Sequence, residues 1–242
     1  MKAAVLSRNK KKLDIISDIK IPDLEKGQVL VEIHFSSLCH SQIMEIDGKR
    51  GIDKYLPHML GHEGSGKVLK IGNGVKNFKE NDWVIAGWIK GIGIDAKPAK
   101  YFSKGRVINS GQIITFSSHA IISENRLIKL PKKIDLKFAP FFGCAIPTGF
   151  GMIVNQIKHK KNKTLCIIGL GGIGFFSLIA ASYYDFKSIT IIDKDDNKLK
   201  IAKKLGAHEV INPNKRKLLN NSYDYCIDTA GKVETIEKSF DL

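Results

Sequence analysis

A glycine-rich stretch at residues 164–174 constrains the fold of this chain more than any other feature. Its sequence is Thr-Leu-Cys-Ile-Ile-Gly-Leu-Gly-Gly-Ile-Gly. Residues 165–168 form a continuous apolar run, which is typical of a strand buried on both faces. The run ends at the first glycine of a G-x-G-x-x-G pattern, and residues 175–184 are predicted to form a helix. We therefore expect a strand, a tight turn and a helix whose free N–H groups and positive dipole end can hold phosphate groups.

This turn supplies the candidate residues for binding a dinucleotide. Its first glycine allows the bend, its second lets a pyrophosphate approach the backbone, and its third lets helix and strand pack closely. The candidates are Gly169, Leu170, Gly171, Gly172, Ile173 and Gly174. A glycine-rich turn alone is weakly specific. The next predicted strand, residues 188–193, ends at Asp193, 24 positions after Gly169, close to the spacing of about 20 at which a carboxylate binds the adenosine ribose.

The residues around Asp193 also predict which cofactor binds. A carboxylate at this position repels a 2′-phosphate and accepts hydrogen bonds from the ribose hydroxyls, which favours NAD over NADP. Lys194 and Lys198 are neighbouring cations that would weaken this preference, and they are further candidates for contact with the cofactor. The apolar run at residues 165–181 approaches the length of a membrane span, but the glycines in its first half favour the strand and turn.

The charge and cysteine content of the chain exclude several classes of protein. Among 242 residues the formal net charge is +15, but lysine is spread along the chain and no nucleic-acid-binding motif is present. The densest lysine runs, at residues 10–12, 158–163 and 215–217, are predicted to be solvated loops. The four cysteines form no C-x-x-C pair, and no signal peptide is visible. We expect a cytoplasmic protein with reduced thiols and neither a nucleic-acid nor a membrane partner.

The order of short and long elements indicates two kinds of structure along the chain. Short predicted strands separated by glycine, aspartate and asparagine occupy the first part, at residues 1–6, 28–35, 66–71, 82–85, 113–122 and 126–129. Such a pattern is typical of a barrel-like β domain. After Thr164 strands alternate with helices, which is typical of a parallel α/β sheet. Four strands can be placed there, at residues 165–168, 189–193, 209–211 and 223–228.

Three short stretches place metal-binding side chains on separate predicted loops. They are Cys-His-Ser at residues 39–41, Gly-His-Glu-Gly-Ser-Gly at residues 61–66, and Gly-Cys-Ala-Ile-Pro-Thr-Gly at residues 143–149. Two sulfurs and one nitrogen, with an open fourth position, are the ligands of a catalytic zinc site. Paired thiolates also disfavour harder ions. Unrelated buried side chains are the alternative, but the order of all three stretches before a dinucleotide turn favours a zinc site.

With these motifs the sequence resembles the zinc-dependent, medium-chain alcohol dehydrogenase family along nearly its whole length. The opening Met-Lys-Ala-Ala and the Gly-Asn-Gly-Val turn at residues 72–75 add to the likeness. The resemblance implies an α/β protein with an N-terminal GroES-like β-barrel domain at residues 1–150. It also implies a partial Rossmann parallel sheet with helices on both faces at residues 151–242, and an active site in the cleft between the domains.

The resemblance assigns roles to individual residues. Cys39, His62 and Cys144 match the zinc ligands, and Glu63 matches a carboxylate that approaches the metal during ligand exchange. Ser41 matches the hydroxyl that passes the substrate proton outward, and the metal would polarise the alcohol while hydride moves to NAD. The remaining matches are His40 near the cofactor pyrophosphate, Thr148 against the nicotinamide and Trp88 at the wall of the substrate pocket.

Three features depart from the family pattern. The loop at residues 87–105 contains none of the four cysteines that hold a structural zinc in many members, so we expect one zinc per chain. Met44 stands five positions after Cys39, where many members have the histidine that ends the proton relay. Only four of the usual six Rossmann strands can be placed. The family's homo-oligomer edge is then expected to be missing, and residues 223–228 are expected to form an exposed sheet edge.

The residues leave two functional hypotheses open. The first is an enzyme that oxidises a small alcohol to an aldehyde or ketone with zinc and NAD. The second is a truncated, non-catalytic remnant that binds zinc, nucleotide or both. A zinc-free relative of quinone reductases is disfavoured because Cys39, His62, Glu63 and Cys144 are all present. The sequence does not identify the alcohol.

Overall fold

The computed structural model describes residues 1–157, 161–220 and 222–242. The lysine run predicted at residues 158–163 therefore lies partly outside the described residues. The chain divides into two compact units, Met1–Cys144 and Ala145–Leu242. Within the described residues, no helix has both the length and the apolar character that crossing a membrane requires.

The first unit is built from antiparallel sheets. Its strands are β1 (Ala3–Leu6), β2 (Asp14–Ile16), β3 (Gln28–Ser36), β4 (His58–Met59), β5 (Gly64–Ile71), β6 (Trp83–Ala86), β7 (Tyr101–Ser103), β8 (Arg106–Ile108), β9 (His119–Ser123) and β10 (Leu127–Lys129). They form a five-stranded sheet in the order β10-β6-β5-β3-β9, a three-stranded sheet β2-β1-β4, and a hairpin β7-β8. One short helix, α1 (His40–Ile46), follows β3. The β-rich first domain expected from the sequence is confirmed.

A single hydrophobic core joins these sheets. Val29 and Val31 of β3 are fully buried, as are Val68 of β5 and Val84 of β6. The apolar side chains of β3 thus face the core at Val29 and Val31, whereas Phe35 near the end of the strand is exposed. The core fixes the positions of the loops at the ends of β3, β5 and β6, which carry the candidate site.

The strand predicted at residues 113–122 is wrong in its first half. Only His119–Ser123 forms a strand. The backbone N–H groups of Thr115 and Phe116 both donate to the carbonyl of Leu60, and the N–H of Ala4 donates to Phe116. These contacts with other segments replace a regular ladder, so the apolar run is buried without being a continuous strand.

The second unit contains a parallel sheet with helices. Its helices are α2 (Ala145–Gly151), α3 (Gly172–Ala181), α4 (Asp196–Lys204) and α5 (Val233–Asp241), with a π-helical segment at Met152–Gln156. Its strands are β11 (Thr164–Ile168), β12 (Ser188–Ile192), β13 (Glu209–Ile211) and β14 (Tyr225–Asp228), in the order β13-β12-β11-β14. All three pairings are parallel. The four predicted strands and the Rossmann-type sheet are confirmed.

Both faces of this sheet are covered. Leu165 and Ile167 of β11 pack in a cluster with residues of α3 and α4. Cys166 and Ile168 pack in a second cluster that includes Leu242, directly after α5. The continuous apolar run of β11 therefore reflects burial of both faces.

The helix predicted at residues 175–184 begins earlier and ends earlier than expected. Gly171 is its N-terminal cap, and the N–H of Phe175 donates to the Gly171 carbonyl over 2.9 Å. The last three residues of the glycine motif therefore form the first turn of α3. Tyr183 and Tyr184 lie in the turn that follows the helix.

Candidate metal centre and nucleotide turn

The structure brings the predicted metal ligands together in the first unit. One ligand atom each from Cys39, His62, Glu63 and Cys144 lies within 4.8 Å of all the others. Glu63 and Cys144 are buried, and Cys39 and His62 are partly exposed. Three separate segments contribute these four groups, so the cluster depends on the folded β domain.

Cys39 and Ser41 are placed by the start of α1. Cys39 is the N-terminal cap residue of this helix, with extended backbone geometry. The Ser41 hydroxyl donates a hydrogen bond to the Cys39 sulfur over 3.3 Å. The hydroxyl predicted to move the substrate proton therefore lies beside a predicted metal ligand.

The Gly-His-Glu motif depends on the backbone of its first glycine. Gly61 has φ of +95°, and a Cβ there would lie 2.3 Å from the Thr115 hydroxyl oxygen. Only glycine satisfies both conditions without strain. This bend precedes β5 and places His62 and Glu63 together, with Glu63 only 2% exposed.

Cys144 reaches the cluster from the end of the 3₁₀ helix Ala139–Gly143. A Cβ on Gly143 would lie 2.4 Å from the Ala86 carbonyl oxygen and 3.1 Å from Glu63 Cα. The segment therefore passes directly against β6 and the Gly-His-Glu motif. The backbone N–H of Trp88 donates to the Gly143 carbonyl over 3.2 Å, which places this aromatic residue next to Cys144 in the fold.

The two cysteines share one hydrogen bond and have opposite acidities. The pKa of Cys39 is lowered to about 3, first by the hydrogen bond from the Cys144 thiol and then by His62, while burial opposes the shift. The pKa of Cys144 is raised because its thiol donates to Cys39 and because it is buried. The lowered pKa of Cys39 favours its thiolate, which is the form of cysteine that binds metal.

The donor set fits a zinc ion. Two cysteine sulfurs, one imidazole and one nearby carboxylate are the groups that bind Zn²⁺ in proteins. Soft sulfur ligands disfavour Mg²⁺ and Ca²⁺. The two cysteine sulfurs lie within 4.8 Å of each other, close enough to share one cation.

Gln42, which belongs to none of the sequence motifs, contacts the histidine of this cluster. It is buried, and its Nε2 lies 3.2 Å from His62 Nδ1. Its Oε1 accepts a hydrogen bond of 2.5 Å from the N–H of Gly61. A hydrogen bond to the ring nitrogen that does not bind the metal fixes the orientation of a metal-binding histidine. Gln42 lies three residues after Cys39, in the short helix that Cys39 caps. That spacing is too common for the sequence alone to identify Gln42 as part of the site.

The nucleotide turn in the second unit has the geometry that the glycine pattern predicts. Gly169 has φ of +87°, and a Cβ on Gly174 would lie 2.0 Å from the Gly169 carbonyl oxygen. A Cβ on Gly171 would meet no atom within 4 Å. The first glycine therefore makes the bend, the third permits close packing, and the second borders open space, as the pattern predicts.

Asp193 lies at this turn, as its spacing predicts. Its Oδ2 accepts a hydrogen bond of 2.7 Å from the N–H of Leu170, and its Oδ1 accepts one of 2.9 Å from the N–H of Asp195. Lys198 Nζ lies 4.0 Å from Asp193 Oδ2. Lys194 is exposed. The carboxylate is thus held in one orientation beside the bend.

Two further predicted cofactor contacts remain predictions. Thr148 lies in α2, which packs closely against α3. The Ser177 hydroxyl of α3 donates a hydrogen bond to the carbonyl of Gly149 in α2, one residue after Thr148. Thr148 therefore belongs to the same unit as the turn. His40 is exposed at the start of α1 in the first unit.

Comparisons with known proteins agree with this geometry. Residues 25–132 match the family described as "Alcohol dehydrogenase GroES-like domain". Residues 172–242 match the family described as "Zinc-binding dehydrogenase". The S-(hydroxymethyl)glutathione dehydrogenase of Photobacterium damsela subsp. piscicida is 28% identical to this chain. That match covers 82% of this chain and 60% of the relative, so the chain spans less than two thirds of that protein's length.

Two longer matches cover almost all of this chain. Alcohol dehydrogenase class-3 of Caenorhabditis elegans is 27% identical, over 99% of this chain and 72% of the relative. Among solved structures, benzyl alcohol dehydrogenase from Acinetobacter calcoaceticus has a TM-score of 0.85 at 24% identity, covering 99% of this chain and 73% of that one. The structural likeness shows the same fold.

Proposed function

Because the chain belongs to the zinc-dependent, medium-chain alcohol dehydrogenase family, we propose that it oxidises an alcohol to an aldehyde or ketone by hydride transfer to NAD. The observation that carries the proposal is the cluster of two sulfurs, an imidazole and a carboxylate within 4.8 Å. A glycine turn with a positioned carboxylate, in the second unit, supports the choice of cofactor.

Cys39, His62 and Cys144 would hold one zinc ion. When bound, zinc supplies a Lewis acid for the alcohol oxygen, and NAD supplies the hydride acceptor. Glu63 is a buried carboxylate next to these ligands and would stabilise a cation there. Buried, pre-oriented ligands reduce the reorganisation that the reaction requires.

Ser41 would accept the alcohol proton and pass it outward. Its hydroxyl is within hydrogen-bond distance of the Cys39 sulfur, which supports a position beside the alcohol oxygen of a metal-bound substrate. Met44 cannot carry a proton, so Ser41 would release the proton to water. Asp193 would accept hydrogen bonds from the adenosine ribose while the N-terminus of α3 faces the pyrophosphate.

A substrate panel tests this function. The full chain is loaded with zinc, and NADH formation is measured with aliphatic alcohols, benzyl alcohol and S-(hydroxymethyl)glutathione, the last two chosen from the names of relatives. Alcohol-dependent NADH formation that disappears in Cys39→Ala supports the proposal. Zinc and NAD binding with no turnover on any alcohol would instead favour a non-catalytic remnant.

A further inference from the structure

A second group of metal-binding side chains lies in the first unit, separate from the cysteine cluster. It consists of Glu45 at the end of α1, Asp53 in the following loop, and His58 of β4. One ligand atom of each lies within 4.8 Å of the other two. His58 Nε2 is 2.8 Å from Asp53 Oδ2 and 3.8 Å from Glu45 Oε1. The His58–Asp53 contact is a hydrogen-bonded ion pair, and the three ligand atoms are close enough together to bind one ion at bond lengths of about 2.1 Å.

In each of the three residues, the second polar atom of the side chain, which points away from the cluster, has a hydrogen-bond partner elsewhere in the protein. His58 Nδ1 faces the Met59 carbonyl at 3.1 Å. Asp53 Oδ1 accepts a hydrogen bond of 2.9 Å from the N–H of Tyr55, and Glu45 Oε2 accepts one of 3.4 Å from Gln42 Nε2. Nε2, Oδ2 and Oε1 are therefore directed at one another. A ring N–H donated to a backbone carbonyl is the contact that orients metal-binding histidines.

The segment that carries Asp53 and His58 is itself fixed. The side-chain amide of Asn109 donates to the Tyr55 carbonyl over 2.8 Å, and the Met59 N–H donates to the Asn109 carbonyl over 3.0 Å. His58 is 7% exposed, whereas the Glu45 side chain is 24% exposed. Water can thus reach the open side and complete a coordination shell.

We propose that Glu45, Asp53 and His58 form a second divalent-cation site, selective for ions that accept oxygen and nitrogen ligands. Two carboxylates neutralise the charge of such an ion. The absence of sulfur among the three ligands suits Mn²⁺ and Zn²⁺ and distinguishes the site from the cysteine cluster. Arg50 is the nearby cation, 3.9 Å from Glu45 Oε2, and it leaves Oε1 directed toward His58.

Gln42 links the two sites. Its Nε2 contacts both His62 Nδ1 and Glu45 Oε2. A cation that fixes Glu45 therefore also fixes the amide that holds His62. This link makes the second site a support for the first, although the second site does not depend on the proposed alcohol chemistry.

Mn²⁺ titration of the full chain, followed by the electron paramagnetic resonance signal of free Mn²⁺, tests the proposal. Mn²⁺ is chosen because thiolates bind it poorly. The wild type is expected to bind one Mn²⁺ per chain. Asp53→Asn and Glu45→Gln should each weaken binding about tenfold or more. Asp47→Asn is the matched control, because Asp47 lies between the two ligands in sequence and forms an exposed ion pair with Lys49 at 3.0 Å.

The outcomes separate a metal site from an internal ion pair. If the wild type binds no Mn²⁺ at millimolar concentration, or if Asp47→Asn weakens binding as much as Asp53→Asn, the proposal is wrong. Tryptophan fluorescence of Trp83 and Trp88 shows whether each variant remains folded. Two ligand variants are used so that, if one of them does not fold, the other still tests the proposal.

Discussion

Replacement of Glu124 by Gln should destabilise the first unit strongly, because this buried carboxylate joins three segments. The residue is 1% exposed. Its Oε1 accepts hydrogen bonds from the N–H groups of Lys76 and Asn77 and from the Asn77 side chain, at 2.9 to 3.0 Å. Its Oε2 accepts one of 2.8 Å from the N–H of Ile94. Both oxygens therefore act as acceptors.

The magnitude follows from these four bonds. Glutamine keeps one acceptor oxygen, which will face the three donors on the Oε1 side. Its amide N–H₂ then faces the N–H of Ile94, and a buried donor without a partner costs about 1–3 kcal/mol. The three remaining bonds lose their ionic character, at about 1 kcal/mol each, while the lower cost of burying a neutral amide offsets part of this loss. We expect a net loss of about 3 kcal/mol in unfolding free energy.

The effect should depend on pH. Burial alone would raise the pKa of Glu124, but hydrogen bonds from the N–H groups of Ile94, Asn77 and Lys76 outweigh it and lower the pKa below the ordinary value of 4.5. A carboxylate with a lowered folded pKa contributes stability above the unfolded pKa and loses it as pH falls through the folded pKa. The difference between wild type and Glu124→Gln should therefore be full at pH 7 and shrink below pH 4.5.

Urea denaturation followed by tryptophan fluorescence measures this difference. Both tryptophans, Trp83 and Trp88, belong to the first unit, so the signal reports its unfolding. A loss of 3 kcal/mol corresponds to a midpoint shift of roughly 1–3 M urea. The exposed Glu80 gives the control Glu80→Gln, which should change stability by less than about 0.5 kcal/mol. Equal stabilities of Glu124→Gln and Glu80→Gln at pH 7 would refute the reasoning.

Three further predictions concern the two candidate sites and the sheet. Because Asp193 repels a 2′-phosphate, fluorescence titration should show tighter binding of NADH than of NADPH, and the reverse order would contradict the assigned role. Ser41→Ala should lower turnover about 10²–10⁴-fold with zinc and NADH binding unchanged; wild-type turnover would mean that another group carries the proton. Among the described strands β14 lies at one end of the sheet order, so size-exclusion chromatography of this chain alone should show self-association, and a stable monomer at high concentration would contradict this.

The features that the sequence predicts correctly are those encoded in short local motifs. The bend at Gly169 and the close packing at Gly174 follow from a short motif that permits few backbone paths. Cys39, His62 and Cys144 are far apart in sequence, but each belongs to a recognisable motif, and the family resemblance indicated that these motifs meet. The structure confirms that meeting.

Features without a local pattern could not be predicted. Nothing in the sequence marks the partners of His58, yet the folded chain buries it against Asp53 and Glu45. The hydrogen bonds of Thr115 and Phe116 to Leu60 depend on a segment more than 50 residues away, so an apolar run resembled a longer strand. In both cases the observed structure depends on tertiary contacts, which local propensity does not report.

Cobalt substitution tests the central claim most directly, because thiolate-to-cobalt charge-transfer absorption appears only when Co²⁺ binds cysteine sulfur. The wild type should bind Co²⁺ with the absorption of two sulfur ligands. Cys144→Ala should lose about half of that absorption or all of it, whereas Cys226→Ala, in β14 of the second unit, should keep it. Full-intensity absorption in Cys144→Ala would show that Cys39, His62 and Cys144 do not form one metal centre.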